Sequence, residues 1–204
     1  MKNIFLNIET VPLKILDENI KEYLMDKKIN KEMRSLDANY SMIILIGVKV
    51  FGGDYRFFIG DEKEILKEFW NFLRNEKNFK IITHNGYKFS IPFLNVRSIV
   101  NNLDIIKINM NIWQMETSNH FDIMVFFSQY GNFINTNLDV LGRMNGVSVK
   151  GESIWGRDIE RLYEEGKIDK IKEKCKRDLD ILEKIYNKFF IKDRSVMEFG
   201  ERNE

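Results

Sequence analysis

Residues 3–8 (NIFLNI) form a short, mostly apolar run, stopped by the turn signal at Pro12, which is the pattern of a buried central strand. Residues 42–51 (MIILIGVKVF) are dense in β-branched and apolar side chains, and 55–60 (YRFFIG) alternate. Gly52-Gly53-Asp54 between them is turn chemistry, so the two runs predict a hairpin. From Asp61, a suitable N-cap, the period becomes helical. Ile65, Leu66, Phe69, Trp70, Phe72 and Leu73 share one side, with Lys and Glu on the other.

KIITH (80–84) reads as another short buried strand, and 89–102 as a helix with Pro92 in its first turn. Residues 13–40 predict a loop with a marginal helix on Leu16, Ile20, Tyr23 and Leu24, and 103–121 are irregular. FDIMVFFSQYG, NLDVLGRMNG and DIERLYEEG each suit a short helix, with Gly131, Gly146 and Gly166 placed as C-caps. A longer helix spans 168–190 with Ile168, Ile171, Cys175, Leu179, Leu182, Ile185 and Phe189 on one stripe. The order β, β, β, α, β, then mostly α predicts an α/β fold, a mixed central sheet flanked by helices.

A length of 204 residues with 44% hydrophobic content suits one domain, expected over 1–190, with a charged tail at 191–204 that should fray. Lys and Arg number 32 against 31 Asp and Glu, so a nucleic-acid site would have to be a local patch. A lone Cys175 excludes an internal disulfide and a cysteine-based zinc site. No run is long and apolar enough for a signal or a membrane span, so the expectation is a soluble, cytoplasmic protein.

Three short segments carry candidate chemistry: LNIET at 6–10, HNGYKFSIPFL at 84–94 and KCKRDLDIL at 174–182. They fall on the first strand, at a strand-to-helix turn and in the last long helix. In that order the chain resembles the DnaQ-like (DEDD) 3′→5′ exonucleases of the ribonuclease H fold, and within them the predicted PolB-related exonucleases. HFDIM at 120–124, NLDVLGRMNG at 137–146 and LYEEGKIDKIKEKC at 162–175 extend the likeness to nearly the full chain.

The resemblance implies hydrolysis by two Mg2+ or Mn2+ ions about 3.5–4 Å apart, held by a cluster of carboxylates. The family pattern has acids at 7, 9, 90 and 178 and a water-orienting tyrosine at 174. This chain has Asn7, Glu9, Ser90, Asp178 and Lys174. One carboxylate attracts a unit charge by roughly 4 kcal/mol at about 4 Å and an intermediate dielectric, so losing two is a large deficit. Asn7 still offers a neutral amide oxygen, and Glu9 with Asp178 remain as ligands for a single weak ion. Asn7 alone would suit an engineered Asp→Asn knockout; Ser90 and Lys174 beside it point to natural decay.

Each candidate also has an ordinary structural reading. Glu9 could be a solvated strand end. Asp180 lies about 200° around the helix from Asp178 and cannot share its site. Asp122 reads best as an N-cap, His84 and His120 as structural, and Cys175 as core. Gly86 permits a tight turn that Asn85 can hydrogen-bond. Asn85, Tyr87, Lys88, Lys174 and Arg177 are the candidate nucleic-acid contacts, with Lys176, Phe89 and Trp155 nearby. Lys174 could hold a backbone phosphate in place of the metal.

Three functions follow. The first is a pseudo-exonuclease whose groove still takes a single-stranded 3′ end. The second is a slow, Mn2+-dependent exonuclease, and the third a scaffold for a protein partner.

Overall fold

Strand β1 (Lys2–Pro12) runs through the middle of the sheet, as its apolar run predicts. The computed structural model of the chain describes residues 1–147 and 154–191. After β1 the chain makes two short helices, α1 (Glu18–Asp26) and α2 (Lys31–Ser35), then the hairpin β2 (Ser41–Val50) and β3 (Tyr55–Ile59). Next come α3 (Glu62–Asn75), β4 (Phe79–Thr83) and α4 (Ile91–Val100). The rest is β5 (His120–Asp122), α5 (Ile123–Phe127), α6 (Leu138–Met144), α7 (Ile159–Glu164) and the long α8 (Ile168–Tyr186). The strand order is β3-β2-β1-β4-β5, with antiparallel pairs around β2 and parallel pairs around β4.

The period of two on β1 divides its side chains between two cores. Ile4, Leu6 and Ile8 pack with Phe69, Trp70 and Leu73 of α3 and Phe93 and Leu94 of α4. Asp61 caps α3 as expected, accepting from the Lys63 amide. Trp70 is fully buried, and its indole N–H is satisfied by Ser98 Oγ at 2.8 Å. Phe5 joins the opposite core, where Ile171, Cys175, Leu179, Leu182 and Ile185 of α8 lie against the sheet. Burying each large apolar side chain contributes about 1.5–3 kcal/mol, so the two cores hold β1 between α3 and α4 on one side and α8 on the other.

α8 comes close to the sheet because β2 carries a glycine at the crossing. Gly47 pairs with Asn7 of β1, and a Cβ at Gly47 would collide with the Cys175 sulfur. Cys175 is fully buried, and burial pushes its thiol pKa well up. It is a core residue.

Several elements differ from the sequence pattern for identifiable reasons. Two helices, not one, occupy 13–40, nucleated by Asp17 and Asn30, whose side chains accept from the first-turn amides. Of the anticipated apolar face only Leu24 is buried, while Leu16, Ile20 and Tyr23 stay exposed. Three-residue β5 escapes a periodicity reading because it is too short to show alternation. Residues 86–90 form a wide π-helical turn before α4, and a second such turn, 187–191, follows α8. From residue 192 the anticipated tail lies outside the described residues.

Candidate functional site

Phe5, Asn7 and Glu9 alternate toward the α8 side of β1, and a register shift between Glu9 and Thr10 ends that alternation. On α8, Lys174 and Asp178 stand one turn apart. The Lys174 ammonium donates to Glu9 Oε1 at 2.8 Å and to Asp178 Oδ2 at 2.8 Å. Asn7 Nδ2 donates to the same Glu9 oxygen at 2.9 Å. The first and third segments thus meet, and Lys174 lies between the two carboxylates.

Glu9 is 4% exposed. Burial raises its pKa above the ordinary value; the Lys174 charge opposes the rise and the Asp178 charge adds to it. For Lys174, burial alone would lower the pKa, but Glu9 and Asp178 outweigh it and hold the ammonium far above the usual range. Lys174 is therefore a permanent cation. A carboxylate only accepts, so the Asn7 amide must turn its N–H to Glu9, and its oxygen faces away from that carboxylate. In this arrangement the Asn7 oxygen, the anticipated ligand atom, does not lie on the Glu9 side.

The second segment is shaped by Asp122, which is fully buried. It caps α5 through the Met124 amide, as expected, and also accepts from the amides of Asn85 at 2.9 Å and Tyr87 at 3.0 Å. The left-handed residue of this turn is Asn85, at φ 66°, not Gly86. Gly86 is needed for a different reason: a Cβ there would strike Thr83 and His120.

The turn leaves Ser90 buried at the start of α4, and its hydroxyl makes no hydrogen bond to Asn7, Glu9 or Asp178. Tyr87 is in the core, its ring 4.3 Å from that of His120, and burial pushes its pKa up to about 12. It has no face free for a ligand, contrary to expectation. His120 bonds Thr83 Oγ1 at 2.9 Å, and burial lowers its pKa to about 4. Asn85 is a turn residue, with its side-chain oxygen buried and without a hydrogen-bond partner among the described residues.

Two cavities flank the Lys174 bridge and share Asn7, Trp155, Gly156 and Lys174. The smaller, ≈ 220 Å³, is lined also by His84, Asn137, Asp139, Arg177 and Asp178. The larger, ≈ 500 Å³, adds Glu9, Thr10, Phe89 and Arg157. Trp155 is 44% exposed between them. Lys88 is exposed and lines neither cavity, and Lys176 lies over the Tyr55 ring on the β3 side, 4.9 Å from its centroid. Both depart from the anticipated cluster.

Arg177 does reach the smaller cavity, but it is buried and ion-paired with Asp139. Burial alone would raise the Asp139 pKa; hydrogen bonds from Arg177 and Arg143 hold it below the usual carboxylate range. His84 Nε2 lies 2.8 Å from the Thr136 carbonyl, which can only accept, so that nitrogen carries the proton. Burial lowers the His84 pKa. Sequence reasoning missed Asp139 and Asn137 as lining residues: the segment 137–146 reads there only as a short helix and a stretch of family likeness, and nothing in its pattern shows that its first turn faces the site.

The central acid-bearing strand, the mixed five-stranded order and the crossing α8 define a ribonuclease H-like exonuclease fold. The family of predicted 3′-5′ exonucleases related to the exonuclease domain of PolB matches residues 58–187, more than half of the chain, and the chain belongs to that family. The matched residues begin in β3, so Asn7 and Glu9 precede them.

The fold is also similar to the family B DNA polymerase from the hyperthermophilic archaeon Pyrobaculum calidifontis. The TM-score is 0.69 at 13% identity, over 92% of this chain and 24% of that one. The chain therefore spans about a quarter of the polymerase's length. No curated protein matches it.

Proposed function

We propose that this chain is an exonuclease-like domain that binds single-stranded nucleic acid by its 3′ end and does not carry out two-metal hydrolysis. The observation that carries this reading is the Lys174 ammonium, 2.8 Å from both Glu9 and Asp178. Two divalent ions do not fit such a donor set. Several carboxylates are needed to ligate the ions and cancel their repulsion. Here a tethered positive charge lies between Glu9 and Asp178, Asn7 presents its N–H to Glu9, and Ser90 brings no charge. Among the described residues no three Asp, Glu, His or Cys side chains form a metal-binding group.

Nucleic-acid binding is supported by the family and by the groove around Trp155, which offers an aromatic face beside Arg157 and Lys174. Single-stranded DNA and RNA labelled at the 3′ end, incubated with Mg2+, with Mn2+ and with chelator, test the proposal. The expected result is binding without cleavage in all three. Cleavage by the wild type that Glu9→Gln abolishes would instead make the chain an enzyme. Absence of binding at low salt, where phosphate contacts are strongest, would favour the protein scaffold.

A further inference from the structure

A second surface begins where the smaller cavity ends. Asn137 and Leu138 line that cavity, and His84 ties the preceding residue to it through the Thr136 carbonyl. Following the chain back from there, Ile134 is 92% exposed and Phe133 64%. Tyr130 then stacks on Trp113, with ring centroids 4.8 Å apart and planes 18° from parallel, and Trp113 is 74% exposed. Apolar side chains this large and this exposed, in sequence along one path, are unusual on a solvated surface.

The path is built, not loose. Gln129 and Tyr130 hold φ of 47° and 59° and Gly131 of 95°, a run of left-handed residues. A side chain at each of the two non-glycine positions is sterically disfavoured there, so the turn persists only because its surroundings hold it. The turn is held by Tyr130 N to the Val125 carbonyl at 2.9 Å and Phe133 N to the Ser128 carbonyl at 2.8 Å. On the other side of the surface, Asn111 caps the short 3-10 turn 112–114, its Oδ1 accepting from the Trp113 amide at 3.0 Å.

Its chemistry is distinctive. The chain is 31% charged, yet residues 108–115 and 123–138 contain no charged side chain. Aromatic faces and neutral Asn and Gln amides suit nucleobases, which stack and hydrogen-bond at their edges and carry no charge. The cations are left to the groove, where Lys174, Arg177 and Arg157 line the cavities. Contiguity with that groove favours bases over a protein partner as the occupant.

We propose that Trp113, backed by Tyr130, and Phe133 form a stacking track for the bases of the single strand as it leaves the groove. This rests on the groove being a nucleic-acid site. Fluorescence anisotropy with a labelled single-stranded trinucleotide and dodecamer, in chelator, tests it. The dodecamer should bind more tightly. Trp113→Ala and Phe133→Ala should each weaken the dodecamer about tenfold, leave the trinucleotide unchanged, and leave the salt dependence of binding unchanged. Trp113→Phe should retain most of the affinity.

Trinucleotide binding with no dodecamer advantage, or an advantage that both alanine variants keep, would remove the track and leave the groove reading intact. A change in sedimentation of the alanine variants with unaltered oligonucleotide binding would make the surface a protein contact. If the wild type binds neither oligonucleotide, the track and the groove reading both fall.

Discussion

Lys174 and Glu9 are 165 residues apart in the chain, yet the lysine ammonium donates to the Glu9 carboxylate at 2.8 Å. Their side chains are 13% and 5% exposed. The contact joins the last helix to the central strand and sets the electrostatics of everything around it. Either charge left alone there would be costly, because burial removes most of its solvation.

Removing the ammonium should therefore destabilise the fold. Lys174→Met is expected to cost about 3 kcal/mol in urea unfolding, because Glu9 is left buried and unpaired beside Asp178. Adding Glu9→Gln should recover a large part, giving a coupling energy of about 1–3 kcal/mol in the double-mutant cycle. Additive costs would mean that the bridge contributes nothing.

Restoring the family's ligands should create a cation site. The triple variant Asn7→Asp, Ser90→Asp, Lys174→Tyr is expected to show heat of Mn2+ binding by titration calorimetry where the wild type shows none, and to gain 3′→5′ cleavage. Metal binding without cleavage would place further decay in the groove itself.

Asp122 should be the most sensitive residue of the second segment. Asp122→Asn keeps one acceptor oxygen but turns the other into a donor facing backbone N–H groups. It is expected to cost about 1–3 kcal/mol. The Tyr87 amide, whose partner is Asp122 Oδ2, should lose hydrogen-exchange protection first.

Acid should weaken the fold through His120. Its pKa is lowered from 6.5 to about 4 by burial, with Asp122 opposing; Thr83 and Tyr87 also face the ring. A lowered folded pKa means the unfolded chain takes the proton first. The stability from this group is complete above pH 6.5 and is lost as pH falls to about 4, on the order of 3 kcal/mol in all. Unfolding curves of His120→Gln should lose this part of the slope. A wild-type and variant pair with parallel pH profiles would refute it.

Much of the architecture was legible in the chain. Short apolar and β-branched runs marked β1, β2 and β4, because a strand buried on both faces has no polar side to alternate with; alternation marked β3, and helical periodicity marked α3 and α8, because an element with one buried face repeats its apolar residues at its own period. Caps at Asp61 and Asp122 were readable for a similarly local reason. Tyr87 was not: on paper it is an aromatic beside a basic residue, and only packing against His120 shows that its ring is spent in the core.

What the sequence alone determined is therefore local, together with the family to which its three short segments point. Composition at 7, 9, 90, 174 and 178 already shows which charges the chain has and lacks. The tertiary structure decided their geometry: that Gly47 lets α8 approach β1, that Lys174 bridges Glu9 and Asp178, and that Arg177 is held by Asp139. Periodicity assigns a side chain to a face but never names its partner. Partners separated by long stretches of chain are chosen by packing and by the cost of burying an unpaired charge.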